Sequence, residues 1–270
     1  MSLKKLSLIM AAVSVIGVIG SLVLSRFNTV TPIEERVVFN QTEASAVNVL
    51  DVEADIGNIN IYPTSNEEIL VELSGMSTRI SSHKLTADVV DETLRVELSE
   101  RQIGGFNVNV GRWRNRGYTL NIYLPEKQYD SVKVDSKVGS IKLKSLEVTK
   151  LNLHSAVGNI ELHRILSEQT KITNKVGLTK IQYLTGNLQV EAELGNIEVE
   201  AETANKNMDI KSGVGSIDVS FDEKPENATF QLSSEVGRIQ LFGDSFNQQV
   251  FGDGDYTVKI VSQLGSITVE

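Results

Sequence analysis

Cysteine is absent from the 270-residue chain, and only three histidines occur: His83, His154 and His163. Thiol catalysis, thiolate-bound zinc and iron–sulfur chemistry are therefore excluded, and bases able to activate a nucleophile are scarce. His154 and His163 fall at different places in one sequence repeat, so shared metal ligation is not expected. The tract Gly252-Asp253-Gly254-Asp255-Tyr256, with Asp244 nearby, offers oxygen ligands. It lacks the D-x-[DN]-x-[DN]-G spacing that wraps calcium, and reads as a Gly/Asp turn. No catalytic residue, metal site or cofactor is expected, and the chain reads as a non-enzyme.

One local cluster has binding chemistry. Arg112, Trp113, Arg114 and Arg116 place three arginines around the only tryptophan, between Gly111 and Gly117. Arginine binds phosphate through two parallel hydrogen bonds, and tryptophan favours surfaces that are half apolar and half wet. Alternating strands, FNVNV and YTLNIYL, flank the tract and make it the tip of a hairpin. It is a candidate contact for anionic lipid headgroups or wall polymer. The plain alternative is a solvated turn, with Trp113 folded over the edge and the arginines answering nearby acids. N-x-T acceptors at Asn40 and Asn227 matter only where secreted proteins are glycosylated.

The elements that would carry such a tip come from a repeat, V-G-[S/N]-I-x-[V/L]. Its glycines are Gly57, Gly139, Gly158, Gly177, Gly195, Gly215, Gly237 and Gly265, and from Gly139 the spacings are 19, 19, 18, 20, 22 and 28. A period near 20 implies a stacked or solenoid architecture. The positions five before, one before, two after and four after each glycine are almost always apolar. Each half alternates with period two, as a half-buried strand does. Reading the residue just before the glycine as inward makes the alternation slip by one, so a bend or bulge is expected there. Three before the glycine stand Ala54, Ser136, Ser155, Asn174, Ala192, Ser212, Ser234 and Ser262. They suit a crowded inner corner where a side chain can bond the turning backbone.

On the outer face, three after the glycine, Lys142, Glu161, Lys180 and Glu198 alternate in sign. Stacked in sequence order they form a ladder whose pairs contribute about 0.2–1 kcal/mol each and hold the register. Such a ladder argues against the one-face carboxylate cluster of a polysaccharide-degrading β-helix. The interval 69–124 breaks the spacing but still reads as strands, with a hairpin turn at Asp91-Glu92. The fold class is all-β: a β-solenoid or stacked β-repeat domain, preceded by one N-terminal transmembrane helix. A solenoid with one strand per turn and antiparallel pairs stacked as a prism both fit the pattern.

The N-terminal helix is a separate object. Leu6 to Leu24 carry no charge, with Lys4 and Lys5 before them and Arg26 after. Nineteen helical residues span roughly 29 Å, the thickness of a bilayer core. The run ends in SLVLSRF without a small-residue cleavage site, so it reads as an uncleaved signal anchor. The lysine pair places the N-terminus in the cytoplasm. The expected organisation is a cytoplasmic 1–5, an anchor 6–24, a linker 25–46 and an extracytoplasmic β-repeat domain 47–270. With the three cations of the first thirty residues set aside, 23 Lys and Arg stand against 35 Asp and Glu, a balance of −12. That surface is unsuited to nucleic acid.

From Val47 to Glu270 the chain resembles the bacterial "putative adhesin" family, a domain family of unknown function built of toast-rack-like stacked β repeats. The resemblance rests on VEADIGNINIYP at the start, on KVGSIKL, AVGNIEL, ELGNIEV and GVGSIDV, and on GDGDYTVKIVSQLGSITVE at the close. It departs from the pattern at Leu178-Thr179 and at Arg238. The family carries no general enzymatic activity. The resemblance implies a binding or scaffold module at the cell envelope. A second role, as a sensor or regulator of envelope stress acting through a membrane partner, follows from anchored relatives. The expected partners are the membrane, and anionic lipid, wall polymer or an envelope protein.

Overall fold

The computed structural model describes residues 30–78, 81–102 and 117–270. The apolar run 6–24 and the tract Arg112–Arg116 lie outside the described residues. Among the described residues no helix is long and apolar enough to cross a membrane.

The architecture is all-β and its repeats build two facing walls. The halves before the glycines form the first wall: β2 (Val49–Ala54), β8 (Gln128–Val138), β12 (Asn187–Leu194), β14 (Met208–Val214), β16 (Ala228–Val236) and β19 (Tyr256–Leu264). The halves after them form the second: β3 (Asn58–Thr64), β11 (Thr179–Leu184), β13 (Ile197–Ala201), β15 (Ile217–Phe221), β17 (Ile239–Leu241) and β20 (Ile267–Val269). Strands β9 (Ile141–Val157) and β10 (Ile160–Val176) run unbroken from the second wall of one layer into the first wall of the next. Neighbouring layers pair in parallel throughout, as Ile160 on Ile141 and Val176 on Val157 illustrate. Each turn of the stack therefore contributes two strands, which excludes both the one-strand-per-turn solenoid and the antiparallel prism.

Sequence order holds only in part. Layers follow one another from Gly57 through Gly139, Gly158, Gly177 and Gly195 to Gly215. The last two are then exchanged: β19 pairs with both β14 and β16, and β20 with both β15 and β17. The Gly265 layer is thus inserted between those of Gly215 and Gly237. The longer final spacings reflect this detour, during which β18 (Gln248–Phe251) pairs antiparallel with β16. At the other end the interval 69–124 adds a further layer, β6 (Thr93–Gln102) parallel on β2 and β7 (Thr119–Pro125) parallel on β3, with antiparallel strands beyond it. There β1 (Val30–Phe39) and β7 both flank β4 (Ile69–Thr78) in antiparallel fashion. Strands β5 (Ser81–Val90) and β6 form the expected hairpin, turning at Asp91 and Glu92 with φ of 47° and 63°.

Residues 25–46 are not a plain linker. From Val30 they form β1 and the short helix α1 (Gln41–Ala46). Without β1 the outer edge of β4 would present unpaired backbone groups. The helix opens on a capping box, in which Asn40 Oδ1 accepts from the Thr42 and Glu43 amides and Glu43 accepts from the Asn40 amide.

The glycines stack on one another. A Cβ on Gly158 would lie 1.9 Å from the Gly139 carbonyl oxygen, and one on Gly177 2.0 Å from that of Gly158. Gly177 has φ of 143°, open only to glycine. Each glycine amide continues the ladder, Gly158 N–H donating to Val176 O and Gly177 N–H to Leu194 O. This spine corrects one expectation. The residue just before the glycine points out: Val138, Val157, Val176, Leu194, Val214, Val236 and Leu264 are exposed large hydrophobics. The glycine itself occupies the inside of the bend, so the chain leaves the first wall two residues earlier than the alternation suggested. The core instead receives the positions five and three before, and two and four after. Ile172, Asn174, Thr179 and Ile181 show the pattern in one layer.

In that layer the two buried polar residues, Asn174 and Thr179, meet each other. Asn174 Nδ2 donates to Thr179 Oγ1 at 3.2 Å and to the Gly158 carbonyl at 3.2 Å. Ser234 Oγ likewise reaches the Gly265 carbonyl at 2.9 Å. The expected bond is absent at Ser136, Ser155 and Ser212, whose buried hydroxyls find no partner. Outside, two of the ladder's three contacts form, Lys142 to Glu161 at 2.5 Å and Lys180 to Glu198 at 3.3 Å, while Lys180 turns to Glu200 rather than Glu161.

Candidate functional site

A second corner lies opposite the glycines. Six residues after Gly139, Gly158 and Gly177, the residues Ser145, Arg164 and Tyr183 adopt φ of 51°, 55° and 57°. Left-handed backbone is uncommon outside glycine, and three such residues stacked in one file mark a built feature. Each turns the chain from the second wall back to the first. The residue that follows, Leu146, Ile165 or Leu184, then plugs into the core.

Outside this corner lies an open groove of about 1040 Å³, lined from Pro63 in the Gly57 layer to Lys206 beyond the Gly195 layer. Four layer spacings make it roughly 19 Å long. Its floor presents two apolar surfaces to solvent, Leu166 at 53% and Tyr183 at 39% exposure. His163 meets the Tyr183 ring edge-on at 6.2 Å.

Two lysines enter the groove, and both are committed to the protein's own carbonyls. Lys127 Nζ donates to Ala44 O at 3.2 Å and Ser45 O at 3.1 Å, tying down the end of α1. Lys206 is 7% exposed and donates to the Leu184 carbonyl. Burial pushes the Lys206 ammonium down to about 8, against the pull of Glu202. The charges left facing the groove are then Glu126, Glu147 and Glu202 against Arg164. This set can accept hydrogen bonds and stack on a flat ligand, but it assembles no nucleophile with a base.

The buried ammonium carries a testable consequence. Because its folded pKa lies below the unfolded value, the charged form is penalised below about pH 8, and the penalty is relieved as pH rises toward 10.5. The chain should gain stability across that window through this group. Lys206→Met should remove the gain and stabilise the protein at pH 7 by on the order of 1–3 kcal/mol. Denaturant unfolding at pH 7 and pH 10 checks both.

Of the residues singled out in the sequence, the repeat glycines form the spine. Arg112, Trp113, Arg114 and Arg116 lie outside the described residues. His154 and His163 stand in opposite walls, and among the described residues no group of three or more acidic, histidine or cysteine side chains could hold a metal ion. The GDGDY tract is a turn, latched by Asn227, which donates to Asp255 Oδ2 at 2.8 Å and accepts from its amide at 3.1 Å. The groove was not visible in the sequence: the left-handed corner falls on Ser, Arg and Tyr, which share no chemistry, and Lys206 lies in an insertion outside the repeat register.

A family model described as Toastrack DUF4097 matches residues 47–270, the same stretch that the repeat motifs delimit. The chain belongs to this family. Its toastrack domain is also similar to solved structures. One is a "putative adhesin" from Bacteroides fragilis, 17% identical over 89% of this chain and 97% of that one, with a TM-score of 0.44. Another is a "putative cell adhesion protein" from Clostridium sporogenes, 15% identical over 88% and 99%, with a TM-score of 0.40. No curated protein matches the toastrack chain.

Proposed function

We propose that this toastrack domain is a non-enzymatic binding module of the bacterial cell envelope, held to the membrane by the apolar segment 6–24 and facing out of the cytoplasm. The observation that carries the reading is the groove along the left-handed corner. It is open, roughly 19 Å long by its layer spacing, and set on a continuously hydrogen-bonded stack, as a preformed site for an elongated ligand should be. Exposed Tyr183 and Leu166 beside the carboxylates of Glu126, Glu147 and Glu202 suit a hydroxyl-bearing chain, such as the glycan of a wall polymer. The arginines at 112–116 supply a second, cationic contact for an anionic surface.

Residues 30–270 contain every described strand, so this part should sediment with purified wall glycan. Leu166→Ser combined with Tyr183→Ala should weaken that binding about tenfold or more, as loss of buried anchor contacts does. Changing Arg112, Arg114 and Arg116 to Ser should instead remove salt-sensitive binding to anionic vesicles while leaving glycan binding intact. Glycan binding unchanged in the groove variant would exclude the groove as the binding face.

A further inference from the structure

The outside of the glycine corner carries a file of apolar side chains that the fold leaves in solvent. In stacking order they are Val138, Val157, Val176, Leu194, Val214, Leu264 and Val236, exposed at 40–61%. They are register partners from layer to layer, Val138 on Val157, Val157 on Val176, Val176 on Leu194, Leu194 on Val214, Val214 on Leu264 and Leu264 on Val236. Seven of the eight repeats leave an aliphatic residue exposed here, while Ile56 of the Gly57 repeat packs against the core. Single exposed aliphatics are ordinary; a continuous seven-rung file is not.

The polar flank of this file has a direction. Two residues before the glycines stand Lys137, Ala156 and Lys175 in the first three of these layers. Glu193, Gly213 and Gln263 occupy the next three. Lys175 therefore flanks one half and Glu193 the other. Lys137 is taken up by Asp55 of the Gly57 layer at 2.6 Å, and the Gly237 layer adds Glu235. On the opposite flank the same six layers carry Ser140, Asn159, Leu178, Asn196, Ser216 and Ser266, all uncharged. A second copy laid face to face on the file in the same direction would set the charged flank against the uncharged one and match no charge. A second copy in the reverse direction, turned about a two-fold axis between the Gly177 and Gly195 layers, places each Lys175 opposite the Glu193 of the other copy. It also seats Val176 against Leu194, Val157 against Val214, and Val138 against Leu264.

We propose that this aliphatic file is a self-association surface on which a second copy of the chain docks in the reverse direction. A two-fold contact is self-complementary, and here apolar rungs and charge sign satisfy the same axis. Six half-exposed side chains fall short of the roughly 800 Å² per partner of a standard interface, so the dimer forms and dissociates with concentration.

The chain lacks cysteine, so single cysteines report on the contact without background. In the full chain purified in mild detergent, Val176→Cys places the two thiols about one layer, roughly 5 Å, apart along the file. Val138→Cys places them about five layers, roughly 24 Å, apart. A short bismaleimide should cross-link Val176→Cys into a dimer and leave Val138→Cys monomeric. Adding Lys175→Glu to Val176→Cys should cut the dimer yield about fivefold or more, and adding Glu193→Lys as well should restore it. All of these positions are exposed, so the fold tolerates the changes. Equal cross-linking at both positions would contradict the reverse direction. No cross-linking at either, or no rescue by the charge exchange, would overturn the proposal.

Discussion

Gly177→Ala should lower the stability of the domain by about 3–5 kcal/mol, among the largest single-residue effects available in this fold. Two costs add. Its backbone sits at φ 143°, where an L side chain is strained by about 1–3 kcal/mol. The new methyl would also stand 2.0 Å from the Gly158 carbonyl oxygen. That oxygen is backbone in a continuous ladder, and relieving the overlap by separating the layers costs a further roughly 1–3 kcal/mol. Gly117→Ala is the control, because among the described residues a Cβ there meets nothing within 4 Å. It should change stability by no more than about 0.5 kcal/mol. Equilibrium denaturation of the two variants decides the matter, and a loss below about 1 kcal/mol for Gly177→Ala would show that the spine is not close-packed.

Phe230→Ala should cost about 3–5 kcal/mol, for a different reason. The stack ends at the Gly237 layer, where the space between the walls would otherwise open to water. Phe230 is fully buried there, meeting Phe221, Phe242 and Phe251 edge-to-face at 6.0, 5.4 and 5.8 Å. Truncation removes the centre of this plug, and beyond it only the short strand β18 is left to collapse inward. Phe246→Ala, at a site 58% exposed, should be nearly silent. Hydrogen exchange in Phe230→Ala should quicken first in β16 and β17, with the Gly158 and Gly177 layers still protected. Uniform quickening along the stack would mean that the plug is not a local cap.

The glycine-aligned repeat disclosed the all-β stack because the alternation on each side of the bend survives in nearly every copy. It misplaced the residue before the glycine because an apolar side chain records what a position excludes, and here Val157 or Leu194 is apolar without being inside. The exchanged order of the Gly237 and Gly265 layers was foreshadowed by the lengthening spacings, but spacing alone carries no pairing partner. The strand β1 escaped notice because its residues, VTPIEERVVF, alternate poorly, and its place is set by the edge of β4. Asn40 and Glu43 of α1 could have been read, since a capping box is local. The groove could not. It arises where Ser145, Arg164 and Tyr183 share a backbone conformation across three layers, and conformation without a common residue type leaves no trace in the repeat.

The central claim is that the toastrack domain binds an elongated ligand along its left-handed corner. Hydrogen exchange of residues 30–270 with and without purified wall glycan tests it most directly. The account predicts added protection confined to 145–147, 164–166, 183–186 and 202–206, with the glycine corner unchanged. Protection centred on the glycine corner, or none anywhere at saturating glycan, would contradict it.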